Sequence, residues 1–243
     1  MIRVLGPAAL LLAISCAHAP AVPAARAGFE IVQAGGDEEA ARQLARVLPG
    51  ALERVERWGT LQEAVVVRIQ PSSEALAAAA GRPGNTWLRG WARRASVDIQ
   101  SPRTWSRGRA SDEAVATLLT HELTHCLLFQ RIGGGWVRRD VPAWFEEGMA
   151  SFTASERHAR ADASALDPAA AGQAIDAALA YGTADRAFRY LVARHGEPSV
   201  LAVLDGLSGG QGFAAAFRSA TGSSVEAFEA TVSAHLRTDT AAR

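Results

Sequence analysis

The chain has 243 residues, a hydrophobic content of 49% and 25 Lys and Arg against 25 Asp and Glu side chains, which gives a formal net charge of zero. This length and composition allow a substantial core and exclude a globally disordered chain. The balanced charge excludes the basic surface of a typical nucleic-acid-binding domain, so we expect no nucleic acid among the partners.

The first residues have the pattern of an export signal. Arg3 precedes an apolar run at residues 4–14 that is too short to cross a membrane as a helix. The run ends in Ala13-Ile14-Ser15-Cys16, which resembles a bacterial lipobox and makes Cys16 a candidate for lipidation in a cell-envelope lipoprotein. The alternative is plain signal cleavage after Ala27, which would give a periplasmic or secreted protein.

The predicted organisation has three parts: a signal and lipobox segment at residues 1–16, an Ala/Pro-rich tether at 17–27 and a single domain at 28–243. If Cys16 is lipidated or removed, Cys126 has no partner for an intramolecular disulfide. No later apolar stretch reaches the length needed to span a bilayer. We therefore expect an exported domain without a transmembrane helix.

Hydrophobic patterning predicts strands first and helices afterwards. Alternating or β-branched stretches predict strands at residues 29–32, 64–69, 87–93 and 96–100. Helical spacing and capping residues predict helices at residues 38–58, 72–80, 111–132, 142–150, 188–194, 200–207, 213–219 and 225–236. Pro49 should kink or divide the first helix. Gly90, inside a strand, indicates the close approach of another group, either an extended substrate or a crowded neighbour.

The central predicted helix contains the motif His121-Glu122-Leu123-Thr124-His125. Residues four apart lie one turn above each other, so His121 and His125 can bind the same metal ion. Glu122 is about 100° round the helix from His121 and can hydrogen-bond a water beside that ion. This is the arrangement of a zinc hydrolase. Cys126 is directed about 100° from His125 and is expected in the core rather than on the metal.

Residues 141–150 supply two adjacent carboxylates, Glu146 and Glu147, in an otherwise apolar helix. Pro142 suits the first turn of this helix, and Asp140 lies where a capping residue would fall. A buried carboxylate needs a partner, and a metal ion is one. One of the two glutamates is therefore a candidate third ligand that would complete a His₂Glu set. The alternative is that both glutamates face solvent.

The His-Glu-x-x-His motif followed by Trp144-Phe145-Glu146-Glu147-Gly148-Met149-Ala150 resembles the gluzincin clan of zinc peptidases, in particular the small bacterial peptidase MA-like domains. In that family the glutamate before the glycine is a zinc ligand, which is Glu147 here, and Glu146 is then a carboxylate at the rim. The resemblance implies a zincin-like α+β fold, with a small N-terminal mixed sheet and helices followed by a mostly helical half that carries the zinc site. The metzincin pattern is not met, because Leu128 and Arg131 occupy the positions of its glycine and third histidine.

The resemblance continues through Ala180-Tyr181-Gly182-Thr183-Ala184 and residues 188–196, which are similar to a downstream segment of the family. In aminopeptidases of the clan a downstream tyrosine stabilises the oxyanion, and Tyr181 is the candidate here, with Tyr190 second. The alternative is that Tyr181 is a core aromatic. None of the other histidines is a convincing ligand: His18, His158, His195 and His235.

The sequence thus predicts a zinc metallopeptidase that holds one Zn²⁺ ion through His121, His125 and Glu147. A peptide or protein substrate would be hydrolysed by a zinc-bound water that Glu122 activates, and Glu122 would pass the proton to the leaving amine. Cleavage within a chain and cleavage at its end are both open. One alternative is a zinc-binding but non-hydrolytic envelope lipoprotein with a binding or assembly role. A second is a structural envelope domain with an accidental motif.

Overall fold

A computed structural model of the chain describes residues 14–16, 28–33, 36–105, 109–133, 140–166 and 176–241. The chain divides into two compact units, residues 1–130 and residues 131–243. The predicted α+β class is confirmed, because a small mixed sheet lies in the first unit and the second unit is mostly helical. Among the described residues, not one helix is both long and apolar enough to cross a membrane.

The first unit is built on a mixed β-sheet. Its strands are β1 (Ile14–Cys16), β2 (Phe29–Gln33), β3 (Val65–Gln70), β4 (Gly90–Arg93) and β5 (Ser96–Gln100), in the spatial order β1-β2-β3-β5-β4. The last four match the four predicted strands within three residues at each end. Strands β2, β3 and β5 are parallel, with Ile31 opposite Val67 and Ile69 opposite Ile99, whereas β4 pairs antiparallel with β5. Strand β4 therefore lies at one edge of the described sheet and begins at Gly90.

The short strand β1 falls within the predicted signal segment. Its backbone pairs in parallel with β2, so that Cys16 lies opposite Gln33. The rest of the predicted signal, residues 1–13, and the predicted tether at 17–27 lie outside the described residues. Lipidation of Cys16 and the single-domain boundary at residue 28 therefore stay predictions.

Among the described residues, three helices follow the strands of this part of the chain or lie between them: α1 (Glu38–Val55), α2 (Ser73–Ala79) and α3 (Asp112–Arg131). Pro49 does not divide α1, since the helix runs unbroken past it and only the following turn, Glu56–Trp58, tightens to a 3-10 helix. The proline ring lies on the exposed side of α1. The carbonyl of Ala45, which loses its usual partner, can therefore bond to water without a break in the helix.

Polar side chains tie α3 to its surroundings at both ends. At its first residue, Asp112 accepts a hydrogen bond from the Gln43 amide at 2.9 Å. Near its last residue, the Gln130 amide oxygen accepts from the Gln62 backbone N–H at 2.7 Å, and the Gln130 amide nitrogen donates to the Arg94 carbonyl at 2.9 Å. The three turns before Gln130 are buried. The position of α3 against the sheet is thus set at both ends and by burial between them.

The described part of the second unit has five helices: α4 (Ala143–Thr153), α5 (Ala177–His195), α6 (Glu197–Ser208), α7 (Phe213–Thr221) and α8 (Val225–Ala241). A 3-10 turn at Ala163–Leu166 precedes α5. The core of this unit is aromatic. The Trp144 indole stacks on Phe228 with 5.0 Å between ring centroids. Four buried phenylalanines extend this cluster: Phe145, Phe188, Phe213 and Phe217.

Helices α4 and α5 approach each other closely at Gly148. A β-carbon at this position would lie 2.7 Å from Cβ of Phe188 and 2.9 Å from the carbonyl carbon of Ala184. Both distances are too short for carbon atoms, and the Ala184 atom belongs to the backbone, which cannot swing aside. Gly148 therefore allows the backbone of α5 to lie against α4, one residue after Glu147.

Asp140 does not cap α4, and the prediction that it would is wrong. Its Oδ2 accepts a hydrogen bond from the Phe213 backbone N–H at 2.8 Å, at the first residue of α7. Pro142 occupies the N-cap position of α4 and supplies no side-chain hydrogen bond. An aspartate can accept a hydrogen bond from an unpaired N–H at the start of any helix. Asp140 does so at the start of α7, 73 residues away, and not at the start of α4.

Candidate metal centre

His121 and His125 converge from consecutive turns of α3. Their Nε2 atoms are 3.2 Å apart, and the rings meet edge to face with 4.9 Å between centroids. The exposed fractions of the two residues are 6% and 7%. His125 also stacks on Phe129, with 5.9 Å between ring centroids. The helix thus brings both Nε2 atoms to one buried point, as a spacing of four residues allows.

The distance between these nitrogens fits two ligands of one tetrahedral metal ion. Two nitrogens bound at about 2.05 Å with a tetrahedral angle between them lie about 3.3 Å apart, close to the 3.2 Å between His121 and His125. The same distance suits a hydrogen bond from one protonated Nε2 to the other. A third donor atom close to both nitrogens favours the metal.

Glu147 of α4 supplies that third donor. One carboxylate oxygen of Glu147 and one ring nitrogen from each of His121 and His125 all lie within 4.8 Å of one another. The three side chains therefore form a largely buried His₂Glu group that can hold a metal ion. Glu146, also partly buried, is outside the group that the described residues form. Two imidazoles and a carboxylate suit zinc, and they also suit other divalent first-row metals.

Glu122 lies against the edge of the sheet, where Gly90 makes room for it. Its exposed fraction is 6%. A β-carbon at Gly90 would lie 2.6 Å from Cδ and 2.7 Å from Cγ of Glu122. The close approach that the sequence predicts at Gly90 is present, and the group that approaches is the Glu122 carboxylate. Gly90 has no positive φ, so this position requires the absence of a side chain and not an unusual backbone.

Cys126 is a core residue, as predicted. It is fully buried, and its Sγ donates a hydrogen bond to the Arg93 carbonyl of β4 at 3.0 Å. Burial raises the pKa of the Cys126 thiol far above its ordinary value, and the nearby Glu122 carboxylate raises it further. The thiol therefore stays neutral and joins α3 to β4, and the metal-capable group does not include it.

Tyr181 and Glu147 line the same cavity in the second unit. This cavity has a volume of about 220 Å³. Tyr181 lies near the start of α5, and its ring stacks on His158 with 6.3 Å between centroids and 15° between planes. Tyr190, the second candidate, packs instead against Phe228 and His235. The shared cavity favours Tyr181 over Tyr190 for a role beside Glu147.

A polar network that the sequence did not reveal holds His158 in place. Its Nε2 lies 3.0 Å from Oε2 of Glu156 and 3.3 Å from Oγ of Ser151, and Ser151 donates to the same Glu156 oxygen at 2.8 Å. This is not a nucleophilic Ser-His-Glu triad, because Ser151 is fully buried and both partners meet the same ring nitrogen. The network fixes the ring on which Tyr181 stacks.

The other predicted non-ligands are also accounted for. His195 is the last residue of α5. Partial burial lowers its pKa, and the positive charge of Arg194 lowers it further. His235 packs against Tyr190, and neither histidine belongs to the metal-capable group. His18 lies outside the described residues.

No protein-family model matches this chain, and a comparison with curated proteins finds no match. The sequence motifs and the His₂Glu group are therefore the basis for a functional conclusion.

Proposed function

We propose that this chain is a zinc-dependent peptidase with a zincin-like, gluzincin-type site. The observation that carries the proposal is the His₂Glu group itself, with its Nε2 atoms 3.2 Å apart and all three donor atoms within 4.8 Å of one another. His121, His125 and Glu147 would hold the ion and leave a fourth position for water or substrate. Such an ion, when bound, polarises a carbonyl group and lowers the pKa of water to about 7.

Glu122 is the general base and then the general acid of the proposed reaction. Because it neighbours His121 on α3, its carboxylate lies beside the ligand face without joining the ligand set. It accepts a proton from the attacking water and later delivers that proton to the leaving amine. The burial of Glu122 and the fit of Gly90 against it hold the carboxylate in one position.

Tyr181 is the proposed electrophilic partner. Its hydroxyl would donate a hydrogen bond to the scissile carbonyl oxygen as negative charge develops there. The cavity that Tyr181 shares with Glu147 supports this role, as does the stacking on His158, which orients the ring.

The proposal is tested by metal analysis and peptide cleavage on one set of variants. Purified protein should contain about one zinc ion per chain, and His121→Ala should lose it, whereas His195→Ala, which removes a histidine outside the group, should not. Wild type should cleave a mixed peptide library, and Glu122→Gln should keep the metal but not cleave. A folded protein that binds no zinc after supplementation would overturn the proposal. Metal without cleavage would indicate the non-hydrolytic zinc-binding role.

We also propose that the protein is exported and is anchored to a membrane through lipidated Cys16. The lipobox-like sequence at residues 13–16 supports this proposal. Labelling cells with a radioactive fatty acid should mark the wild-type chain and not Cys16→Ser. An unlabelled wild-type chain shortened at its N-terminus would indicate plain signal cleavage instead.

A further inference from the structure

The cavity that Glu147 and Tyr181 share has few polar groups in its wall. Five of its lining residues are alanines, and Trp144 adds its indole ring. The indole N–H donates a hydrogen bond to Oε1 of Glu229 at 2.7 Å, which leaves carbon atoms as the indole's contribution to the wall. The other lining residues with polar side chains are Glu147 and Tyr181, the two that take part in the proposed chemistry.

The volume of the cavity limits what it can hold. A buried apolar cavity of about 150 Å³ binds benzene, and sites for cofactors and drug-sized ligands start at about 300 Å³. At about 220 Å³, this cavity is larger than the benzene-binding cavity and smaller than a site for a cofactor or drug. It matches a single large side chain such as that of phenylalanine or leucine.

The walls of the cavity are fixed by contacts within the second unit. The Asp162 backbone N–H donates to the Thr183 hydroxyl at 3.0 Å, and that hydroxyl donates to the Leu179 carbonyl of its own helix at 2.8 Å. A β-carbon at Gly182 would lie 2.9 Å from the Arg160 carbonyl carbon. The segment that precedes the 3-10 turn at Ala163–Leu166 therefore packs directly against α5. A cavity held in this way needs little ordering when a side chain enters.

We propose that this cavity is the specificity pocket of the enzyme and receives a large apolar side chain of the residue next to the hydrolysed bond. The inference rests on the proposed function, because Glu147 belongs both to the metal group and to the cavity wall. With the Glu147 charge engaged in the metal group, the alanine methyls and the indole ring favour phenylalanine or leucine. A lysine would find no further carboxylate in the wall, and an aspartate would meet Glu147 itself.

The test compares peptides that differ in one residue. Wild-type protein is given matched substrates with Phe, Leu, Ala, Lys or Asp on either side of the cleaved bond. We expect kcat/KM for Phe and Leu at one of these positions to exceed that for Ala by at least about tenfold, since even one or two methylenes change kcat/KM by that factor. Ala180→Leu adds bulk to the cavity wall and should abolish this preference, so that the Phe, Leu and Ala substrates have about equal kcat/KM. The matched control, Ala193→Leu, puts the same residue at an exposed position of α5 outside the cavity and should leave the preference unchanged.

Failure of this inference is distinguishable from failure of the proposed function. Cleavage with equal rates for Phe and Ala, or a preference for Lys, would overturn the pocket and leave the peptidase standing. If wild type cleaves nothing, NMR is used to measure the binding of N-acetylphenylalanine amide to the full chain. Binding that Ala180→Leu abolishes and Ala193→Leu keeps would support the pocket, and equal binding of the alanine amide would overturn it. Ala177→Leu, on the same wall, replaces Ala180→Leu if that variant does not fold.

Discussion

The β-carbon that Gly90 lacks would occupy the space of the Glu122 side chain. The nearest atoms would be the carboxylate and the last two carbons of Glu122, with Cδ at 2.6 Å. These atoms are the far end of a flexible side chain, which can rotate away. A methyl group at residue 90 would therefore cost little stability, but it would expel the carboxylate from its position.

Gly90→Ala should consequently separate folding from catalysis. We expect unchanged zinc content, a loss of stability below about 1 kcal/mol and a fall in kcat/KM of about 100-fold, because a displacement of about 1 Å in a catalytic group has that effect. Measurements of melting temperature, metal content and peptide cleavage on one preparation test this. Gly50→Ala, at an open position inside α1, is the control and should be slightly stabilising and fully active. A fully active Gly90→Ala enzyme would contradict the assignment of Glu122.

Gly148→Ala should behave in the opposite way. Here the added methyl would meet the backbone of Ala184 and Cβ of Phe188, which cannot rotate away. We expect a loss of about 3 kcal/mol in the free energy of unfolding, at the upper end of the usual cost of overpacking. Urea denaturation followed by circular dichroism measures this. Equal stabilities of Gly148→Ala and Gly90→Ala would show that the α4–α5 approach is looser than described.

Glu147 and Glu146 can be told apart by metal affinity. Glu147→Gln removes a donor of the metal-capable group and should weaken zinc binding by more than about 100-fold, beyond the 10- to 100-fold typical of groups that only orient a ligand. Glu146→Gln changes the same chemical group one residue earlier and should alter zinc affinity by less than tenfold. Competition with a chelating dye measures both affinities. A larger effect at Glu146 would reverse the assignment.

The Cys126 thiol should be unreactive in the folded protein. Burial raises its pKa, and the thiolate is the reactive form, so a disulfide reagent at pH 8 should modify it only after unfolding. The experiment uses Cys16→Ser, so that Cys126 is the sole thiol. Release of the reagent chromophore should appear on addition of guanidinium and not before. Rapid modification of native protein would place Cys126 outside the core.

Glu229 should lower the stability of the protein at neutral pH. Burial raises the pKa of its carboxyl group, and the hydrogen bond from Trp144 offsets only part of that rise. Since the folded pKa exceeds the unfolded one, ionisation favours the unfolded chain, and this penalty is lost as the pH falls below the ordinary value of 4.5.

Glu229→Gln removes the charge and keeps an oxygen to accept the Trp144 hydrogen bond. We therefore expect the free energy of unfolding at pH 7 to rise by roughly a few tenths of a kcal/mol, because the group is partly solvated, and to be unchanged near pH 3.5. Thermal unfolding at the two pH values measures the difference. Glu53→Gln, which makes the same change at an exposed position of α1, is the control and should leave the stability at pH 7 unchanged. A gain that persists at pH 3.5 would have to come from packing.

Local patterns predicted the elements of this fold, because each of them depends on near neighbours. The helix predicted at residues 111–132 begins at a serine suited to capping, and in the structure the Oγ of Ser111 accepts from the Ala114 N–H at 3.1 Å. The burial of Cys126 was predictable in the same way, from the angle between adjacent residues on a helix. Four strands and most of the helices followed from hydrophobic spacing, β-branched content and capping residues, but α5 begins eleven residues before the helix predicted at 188–194.

The errors and omissions involve partners far apart in the chain. Asp140 has the right chemistry for a cap, but its partner Phe213 could not be read from sequence. Gly90 was recognised as a point of close approach, while the identity of the approaching group, Glu122, depends on how α3 lies on the sheet. The stacking of His158 on Tyr181 has no local signature at all.

The anchoring of α3 at both ends affects how the first unit would respond to metal. Opening of this helix would break the hydrogen bond between Gln43 and Asp112 and those that join Gln130 to the segments before β3 and between β4 and β5. We therefore expect His121 and His125 to become exposed together with the opening of the sheet. Zinc should for this reason slow amide hydrogen exchange in the central strands β3 and β5 as much as in α3. Exchange rates in these two strands would then report the occupancy of the metal site, although their residues do not contact the ion.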